Sequence, residues 1–180
     1  MVGMVGLIKG LDHITTQDFK QAGDLVYVVD QTEPGFNGSQ IQKMQTGKIA
    51  GKLFNFDLDY EVKIQKLITA AIQQHLLNSA HDISEGGLIT AIAESTFGNQ
   101  LGVDLSGNLT VADFFSESQS RFVVSVPQEK QAEFEQLVGN DAEKLGKVVD
   151  DNHLFVQAND GYFDLDVDKA FGIWKGALPC

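Results

Sequence analysis

Two short segments of the sequence combine residue types that can do chemistry. The first, Ala80-His-Asp-Ile-Ser-Glu-Gly-Gly-Leu88, reads as a strand end, a polar turn with paired glycines and the start of an apolar helix. A junction of this kind presents unpaired backbone N–H groups and the positive end of a helix dipole, which together suit an anion. Ser84, Gly86 and Gly87 are the candidate binding residues, the glycines because they let a ligand or another backbone come close. Asp82 aims a carboxylate at the same place, where a phosphate with Mg²⁺ would satisfy both charges, so Asp82 is the candidate metal ligand. In the competing reading Asp82 or Ser84 caps the helix and the glycines only turn the chain. The second segment, Ser116-Glu-Ser-Gln-Ser-Arg121, puts polar side chains where a core strand begins, which is costly unless a ligand or partner satisfies them. Glu117, Ser118 and Gln119 are its candidate binding residues, against the alternative of a solvated loop with a capping serine. Neither segment supplies a catalytic residue.

Other constellations carry less. Asp164-Leu-Asp-Val-Asp168 imitates the first half of a calcium loop, but Lys169 stands where glycine is needed and Lys175 where the closing Glu is needed. His13, His75 and His153 lie in unrelated sequence contexts without HExxH or triad spacing, and His75 reads as a core-edge residue. There is no Walker loop and no nucleophile elbow, and the lone Cys180 excludes an internal disulfide or a cysteine-based zinc site. A reducing, cytoplasmic setting is therefore expected. Carboxylates outnumber Lys plus Arg by 25 to 13, for a net charge of −12, which argues against nucleic acid or an anionic membrane as partner. Arg121 is the only arginine, so a bound phosphate must rely on backbone N–H groups, Lys or a metal.

The elements that must position these segments follow from periodicity over 180 residues, a length suited to one domain. Apolar residues 1–8 read as a strand leaving through Lys9-Gly10-Leu11-Asp12, and Leu25-Val-Tyr-Val-Val29 as a buried strand. A short helix is expected over 39–46, ended by Gly47, and a long one over 58–78 with Ile64, Ile68, Ala71, Ile72 and His75 on one face. Residues 80–83 serve as a strand, and 87–97 as a helix apolar nearly all round, closed by Gly98. Strands follow at 101–105 and 121–126, then a helix after Pro127, strands at 145–149, 154–157 and 162–165, and a last helix near 167–174. The short gaps between 149 and 162 require antiparallel neighbours, so the expected fold class is α+β, a mixed sheet covered by helices.

His81-Asp-Ile-Ser-Glu-Gly-Gly-Leu88 with Ala93-Glu94 and Phe97-Gly98, followed by Phe115-Ser-Glu-Ser-Gln-Ser-Arg-Phe122, resembles the C-terminal domain of small-type phosphoribosylformylglycinamidine synthase. Asp12-His-Ile-Thr-Thr-Gln-Asp-Phe19, Gly23-Asp-Leu-Val-Tyr27, Gly38-Ser39 and Trp174-Lys-Gly-Ala-Leu-Pro-Cys180 extend the resemblance over essentially the whole chain. Asn37 departs from it, standing where the family has glycine. The related aminoimidazole ribonucleotide synthetase shares the fold, but the Ser-Glu-Ser-Gln run and the closing residues fit it poorly.

The resemblance implies a ligase that uses ATP, Mg²⁺ and glutamine-derived ammonia to convert formylglycinamide ribonucleotide to its amidine. It implies that residues 1–180 form a single C-terminal-type domain, one piece of a longer multidomain enzyme. The catalytic histidine and most phosphate ligands would then lie in the other domains of the synthetase subunit, and this piece alone would be inactive. A glutaminase subunit and a small bridging subunit are the further implied partners. Asp82 matches a family aspartate at a Mg²⁺–nucleotide site and Ser84 a serine lining it. Glu117, Ser118 and Gln119 match, through an internal duplication, a substrate-contacting triplet. The alternative is a vestigial nucleotide-binding or scaffold module without chemistry of its own. Apolar surface at 1–8 and around Phe114 and Phe115 is expected to lie bare, with residues 114–120 disordered or at a contact, and to drive homodimer formation.

Overall fold

The computed structural model describes all residues except Met1, Val2, Met4, Lys9, Asp30, Gln31, Pro34, Leu53, Phe54 and residues 178–180. Among the described residues seven strands form one mixed sheet: β1 (Leu25–Val29), β2 (Ser79–Asp82), β3 (Gly102–Ser106), β4 (Phe122–Val126), β5 (Ala142–Val149), β6 (His153–Gln157) and β7 (Tyr162–Asp166). Their spatial order is β2-β4-β1-β5-β3-β6-β7, and the β3–β6 pair alone is parallel. Six α-helices of the described residues accompany them: α1 (Gln40–Thr46), α2 (Leu58–Gln73), α3 (Gly87–Phe97), α4 (Val111–Phe115), α5 (Gln131–Val138) and α6 (Val167–Gly176). The α+β mixed sheet expected from the sequence is thus the observed fold. Among the described residues no helix is long and apolar enough to cross a membrane.

Strand alternation divides the core in two, because successive side chains point to opposite faces of a sheet. Val26, Val28 and Val123 face one way and pack with Leu88, Ile89 and Ile92 of α3, Phe114 of α4 and Val167 of α6. Tyr27, Val29, Val124 and Val126 face the other way, against Ile64, Ile68 and Ala71 of α2 and Phe134 and Val138 of α5. Complete burial of a side chain of this size contributes about 1.5–3 kcal/mol. On the second face β6 and β7 stay open to solvent, with His153, Phe155, Gln157 and Tyr162 exposed.

Several elements differ from their sequence expectation. Gly3 and residues 5–8, the described part of the expected first strand, lie outside regular structure, and Val5 and Leu7 are fully exposed. The α2 helix ends at Gln73 rather than 78, because His75 turns the chain at φ +53. His75 is exposed, not a core-edge residue. Leu76 and Leu77 are buried all the same, as part of the turn into β2. The three-residue gap after β5 is not a hairpin between neighbours: β3 lies between β5 and β6. The connecting segment passes directly over Gly102, where a Cβ would strike the backbone oxygens of Asp151 and His153. Finally, α4 was not expected, and it buries Phe114 completely, while Phe115 stays partly exposed beside Phe163.

Candidate functional site

Sheet pairing brings the two chemistry-bearing segments together. Antiparallel pairing of β2 with β4 sets Asp82 opposite Phe122 and His81 opposite Val123. The Ile83 N–H extends the ladder by donating to the Arg121 carbonyl at 2.9 Å. Beyond it the chain turns through Gly86 (φ +88) and Gly87 (φ +76) into α3, backbone states that favour glycine. A Cβ on Gly87 would lie 2.7–2.8 Å from backbone atoms of Phe114, Phe115 and Ser116, so only glycine lets the end of α4 rest on the start of α3.

No side chain of the 81–88 turn caps α3, whose N-cap is Gly86. The cap comes from the other segment: Glu117 Oε1 accepts the Gly86 N–H at 2.8 Å and the Gln40 N–H, at the start of α1, at 2.8 Å. One carboxylate oxygen therefore ties two helix N-termini together, in the position an external anion would take. The Gly87 N–H donates to the Ser84 carbonyl at 3.1 Å.

The 116–121 segment is packed rather than solvated, with Ser116 and Ser118 buried. Arg121, 1% exposed, donates from Nε to the Ser118 carbonyl at 3.1 Å, from Nη1 to Thr32 Oγ1 at 3.0 Å, and from Nη2 to the Ser116 carbonyl. The only arginine is thus spent on holding the loop from inside. Ser116 Oγ donates to the Glu33 carbonyl at 2.6 Å. Ser118 Oγ is buried and has no hydrogen-bond partner among the described residues. The residue Ser118 borders a cleft of about 350 Å³ with Gln119, Ser120, Glu33, Asn55, Asp57, Tyr60 and Asp141. Tyr60 donates its hydroxyl to Asp141 Oδ1 at 2.9 Å, and Lys63 Nζ lies 2.6 Å from Asp141 Oδ2. Gln119 Nε2 reaches the Asn55 carbonyl at 3.4 Å. The cleft is rich in carboxylates, amides and hydroxyls, and suits groups that donate hydrogen bonds, such as amides and sugar hydroxyls.

Asp82 and Ser84 sit on an exposed rim. Ser84 Oγ donates to Asp82 Oδ2 at 2.7 Å. That bond, opposed by partial burial and assisted by nearby His81, holds the Asp82 carboxyl below its ordinary range. His81 Nε2 lies 3.0 Å from Glu94 Oε2, and Trp174 Nε1 donates to Glu94 Oε1 at 2.8 Å, joining β2, α3 and α6. Among the described residues Asp82 belongs to no group of three His, Cys, Asp or Glu ligand atoms. One carboxylate is the fewest protein ligands with which Mg²⁺ is held, the ion keeping several waters and taking substrate phosphates for the rest.

Of the residues singled out in the sequence, Gly86, Gly87 and Glu117 meet in one junction, Ser118 and Gln119 face one cleft, and Asp82 and Ser84 pair on the rim. Sequence reasoning missed Glu33, Asn55, Tyr60 and Asp141, which reach the cleft from separate loops and helices and carry no common spacing. Asp57 did carry a signal, standing as an N-cap before the apolar period of α2 and accepting the Asp59 and Tyr60 N–H groups at 3.0 and 3.1 Å.

Among solved structures, the fold is similar to Thermotoga maritima PurL complexed with FGAR, with a TM-score of 0.72 and 17% identity over 88% of this chain and 29% of that one. It is likewise similar to the same protein complexed with ATP, at 0.69 and 15% over 88% and 27%. The E. coli hydrogenase maturation protein HypE matches at 0.60 and 16% over 86% and 52%. The chain therefore spans less than a third of PurL and about half of HypE, and at these identities the likeness is one of fold. Residues 21–159 match the family model described as AIR synthase related protein, C-terminal domain, and the chain belongs to that family.

Proposed function

We propose that this chain is the C-terminal-type domain of a phosphoribosylformylglycinamidine synthase, an ATP-dependent ligase that makes formylglycinamidine ribonucleotide from formylglycinamide ribonucleotide and glutamine-derived ammonia. The observation that carries the reading is the convergence of the 81–88 and 115–122 segments at Gly86, Gly87 and Glu117. Those two segments carry the resemblance to that enzyme, and a PurL complexed with FGAR shares the fold. In this reading residues 1–180 are one domain of a cytoplasmic synthetase subunit, which works with a glutaminase subunit and a small bridging subunit.

The residues have distinct parts. Glu117 is a positioning residue that fixes the loop against α1 and α3. The Ser118 hydroxyl and the Gln119 amide meet amide or hydroxyl groups of the ribonucleotide in the cleft. Asp82, kept ionised beside Ser84, is the ligand for Mg²⁺, which when bound offsets nucleotide phosphate charge. Holding substrate in place is worth rate in such a ligase even though this domain offers no group to the bonds that change.

The test is steady-state kinetics on the complete synthetase carrying Ser118→Ala or Gln119→Ala. A rise of about tenfold in KM for the formylglycinamide substrate, with little change in KM for ATP, is expected from loss of one hydrogen bond. Unchanged kinetics in both variants would overturn the assignment.

A second reading, a nucleotide pocket retained only as scaffold, draws on the fact that Glu117 already fills the anion position at α3. Asp82→Asn separates the two. It lowers Mg²⁺-dependent nucleotide retention if the pocket still binds, and leaves nucleotide content unchanged if the pocket is only scaffold.

A further inference from the structure

His13 and His75, unrelated in sequence, are neighbours in the fold. An isolated parallel bridge joins Thr16 to Ser79, and the Ala80 N–H donates to the Thr16 carbonyl at 3.1 Å. The chain through 13–16 consequently runs beside the chain through 75–79. His13 ends a 3-10 turn, Leu11–His13, and His75 follows directly on α2. The His75 N–H donates to the Ile72 carbonyl at 3.0 Å, and the Leu76 N–H to the Ala71 carbonyl at 3.0 Å, so the turn that presents His75 is anchored on both sides.

The imidazole rings of His13 and His75 stack with centroids 5.1 Å apart and planes 17° from parallel. Asp12 Oδ2 lies 3.5 Å from His13 Nε2. One ligand atom from each of Asp12, His13 and His75 falls within 4.8 Å of the other two, and all three residues are exposed. Ligands on a tetrahedral zinc ion at 2.0–2.1 Å stand about 3.4 Å from one another. Reaching that spacing requires at least one of the stacked imidazoles to turn about its χ angles so that both in-plane nitrogens face one point, a change open to exposed side chains.

We propose that Asp12, His13 and His75 form a transition-metal site of the zinc class, in which two imidazoles and one carboxylate hold the ion and solvent completes the tetrahedron. Two nitrogen donors with one oxygen favour Zn²⁺ over Mg²⁺ or Ca²⁺, which take oxygen ligands. The ion ties the Leu11–His13 turn to the C-terminal end of α2. This site shares no residue with the candidate functional site and does not depend on the proposed function.

The test is calorimetric titration of the 180-residue chain with Zn²⁺ alone, in a Cys180→Ser background that removes the one thiol. One Zn²⁺ per chain is expected, with micromolar affinity undiminished by excess Mg²⁺. His13→Ala and His75→Asn should each weaken it at least about tenfold, and Asp12→Asn by a smaller factor. Asparagine is chosen at position 75 because it tolerates a positive φ. His153→Ala should leave binding unchanged. In heteronuclear NMR spectra the His13 and His75 imidazole signals should move together on Zn²⁺ addition. No measurable binding, an affinity undiminished by loss of either histidine, or shifts confined to His81 or His153 would each overturn the proposal.

Discussion

Glu117 shows how much one side chain can settle. Its Oε1 accepts the Gln40 N–H from a residue 77 positions away and the Gly86 N–H from one 31 positions away. Neither donor is answered by a local cap, so removing the carboxylate leaves two helix N-termini without that partner. Glu117→Ala is expected to cost about 2 kcal/mol in denaturant unfolding, while Glu117→Gln, which keeps one acceptor oxygen but loses the charge and puts an amino group in place of the other oxygen, costs under about 1 kcal/mol. Equal stability of the two variants would show that the clamp is not what holds the junction. Asp24 makes the opposite case, a carboxyl whose environment disfavours its charge. It is fully buried, with Oδ2 accepting from Asn78 Nδ2 at 2.8 Å and Oδ1 without a partner among the described residues. Burial pushes its pKa above the ordinary 3.8, against the hydrogen bonds that lower it. A raised folded-state pKa means the native protein holds that proton longer than the unfolded chain. This group's contribution is therefore most favourable below 3.8 and falls as pH rises through the folded-state value. Asp24→Asn should then melt higher than the parent at neutral pH, and the gap should narrow as pH is lowered. Scanning calorimetry across that range checks both, and a variant that melts lower at neutral pH would count against it.

Elements with long, consistent patterns were the ones legible in the sequence. The apolar run of α3 and the glycines around it fixed residues 87–97 at both ends. The α2 period did not, because its Ile64–Ile68–Ala71 face runs on through Ile72 while a positive φ at His75 breaks the helix, and side-chain pattern carries no trace of that backbone state. The short α4 was missed despite a local signal: Thr110 and Asp113 form a capping box, with Thr110 N–H donating to Asp113 Oδ2 at 2.8 Å. A turn and a half shows too little periodicity to be seen otherwise. Of the site, the segments 81–88 and 116–121 were visible because paired glycines at the start of an apolar helix and a run of polar residues before a core strand are both unusual. Their mutual contact was not, since it depends on β2 pairing with β4 across the chain. That contact is tested at Gly87. Gly87→Ala meets both a positive φ and the α4 backbone at 2.7–2.8 Å. It should cost about 3 kcal/mol, combining about 1–2 for the left-handed conformation with 1–3 for overpacking. Gly47→Ala, at φ +74 in open space at the end of α1, bears only the first cost, about 1 kcal/mol. Urea unfolding of both variants isolates the part due to the α3–α4 contact, and equal losses would mean that contact gives way freely.

At the scale of the whole molecule, two of the exposed apolar surfaces bear on self-association, which the net charge of −12 opposes. Val5, Leu7 and Ile8 project into solvent from irregular backbone and Leu11 from the 3-10 turn that follows, Leu7 at 99% exposure. A largely apolar groove of about 530 Å³ runs between α3, β7 and α6, lined by Phe97, Phe115, Phe163, Ile173 and Trp174. Ile173 on its rim is 68% exposed. Phe114 is buried in the first core and takes no part, so of the apolar surface expected around Phe114 and Phe115 only the Phe115 side lies bare, as one wall of this groove. Apolar patches of this kind are covered in assemblies, and an isolated chain most often covers them with a second copy related by a two-fold axis. Repulsion between two chains of the same sign acts over about 10 Å at 0.1 M salt and shrinks as salt is added, whereas apolar burial is not weakened by it. Self-association of the chain should therefore strengthen with ionic strength, the reverse of what an ion-pair interface would do. Sedimentation velocity over a salt series measures it directly. Leu7→Asp and Ile173→Asp each place a charge on one of the two surfaces, both at exposed positions where folding is little affected, and should return the high-salt species toward monomer. A chain that stays monomeric at high concentration and high salt, or a dimer indifferent to both substitutions, would refute the idea that these surfaces meet.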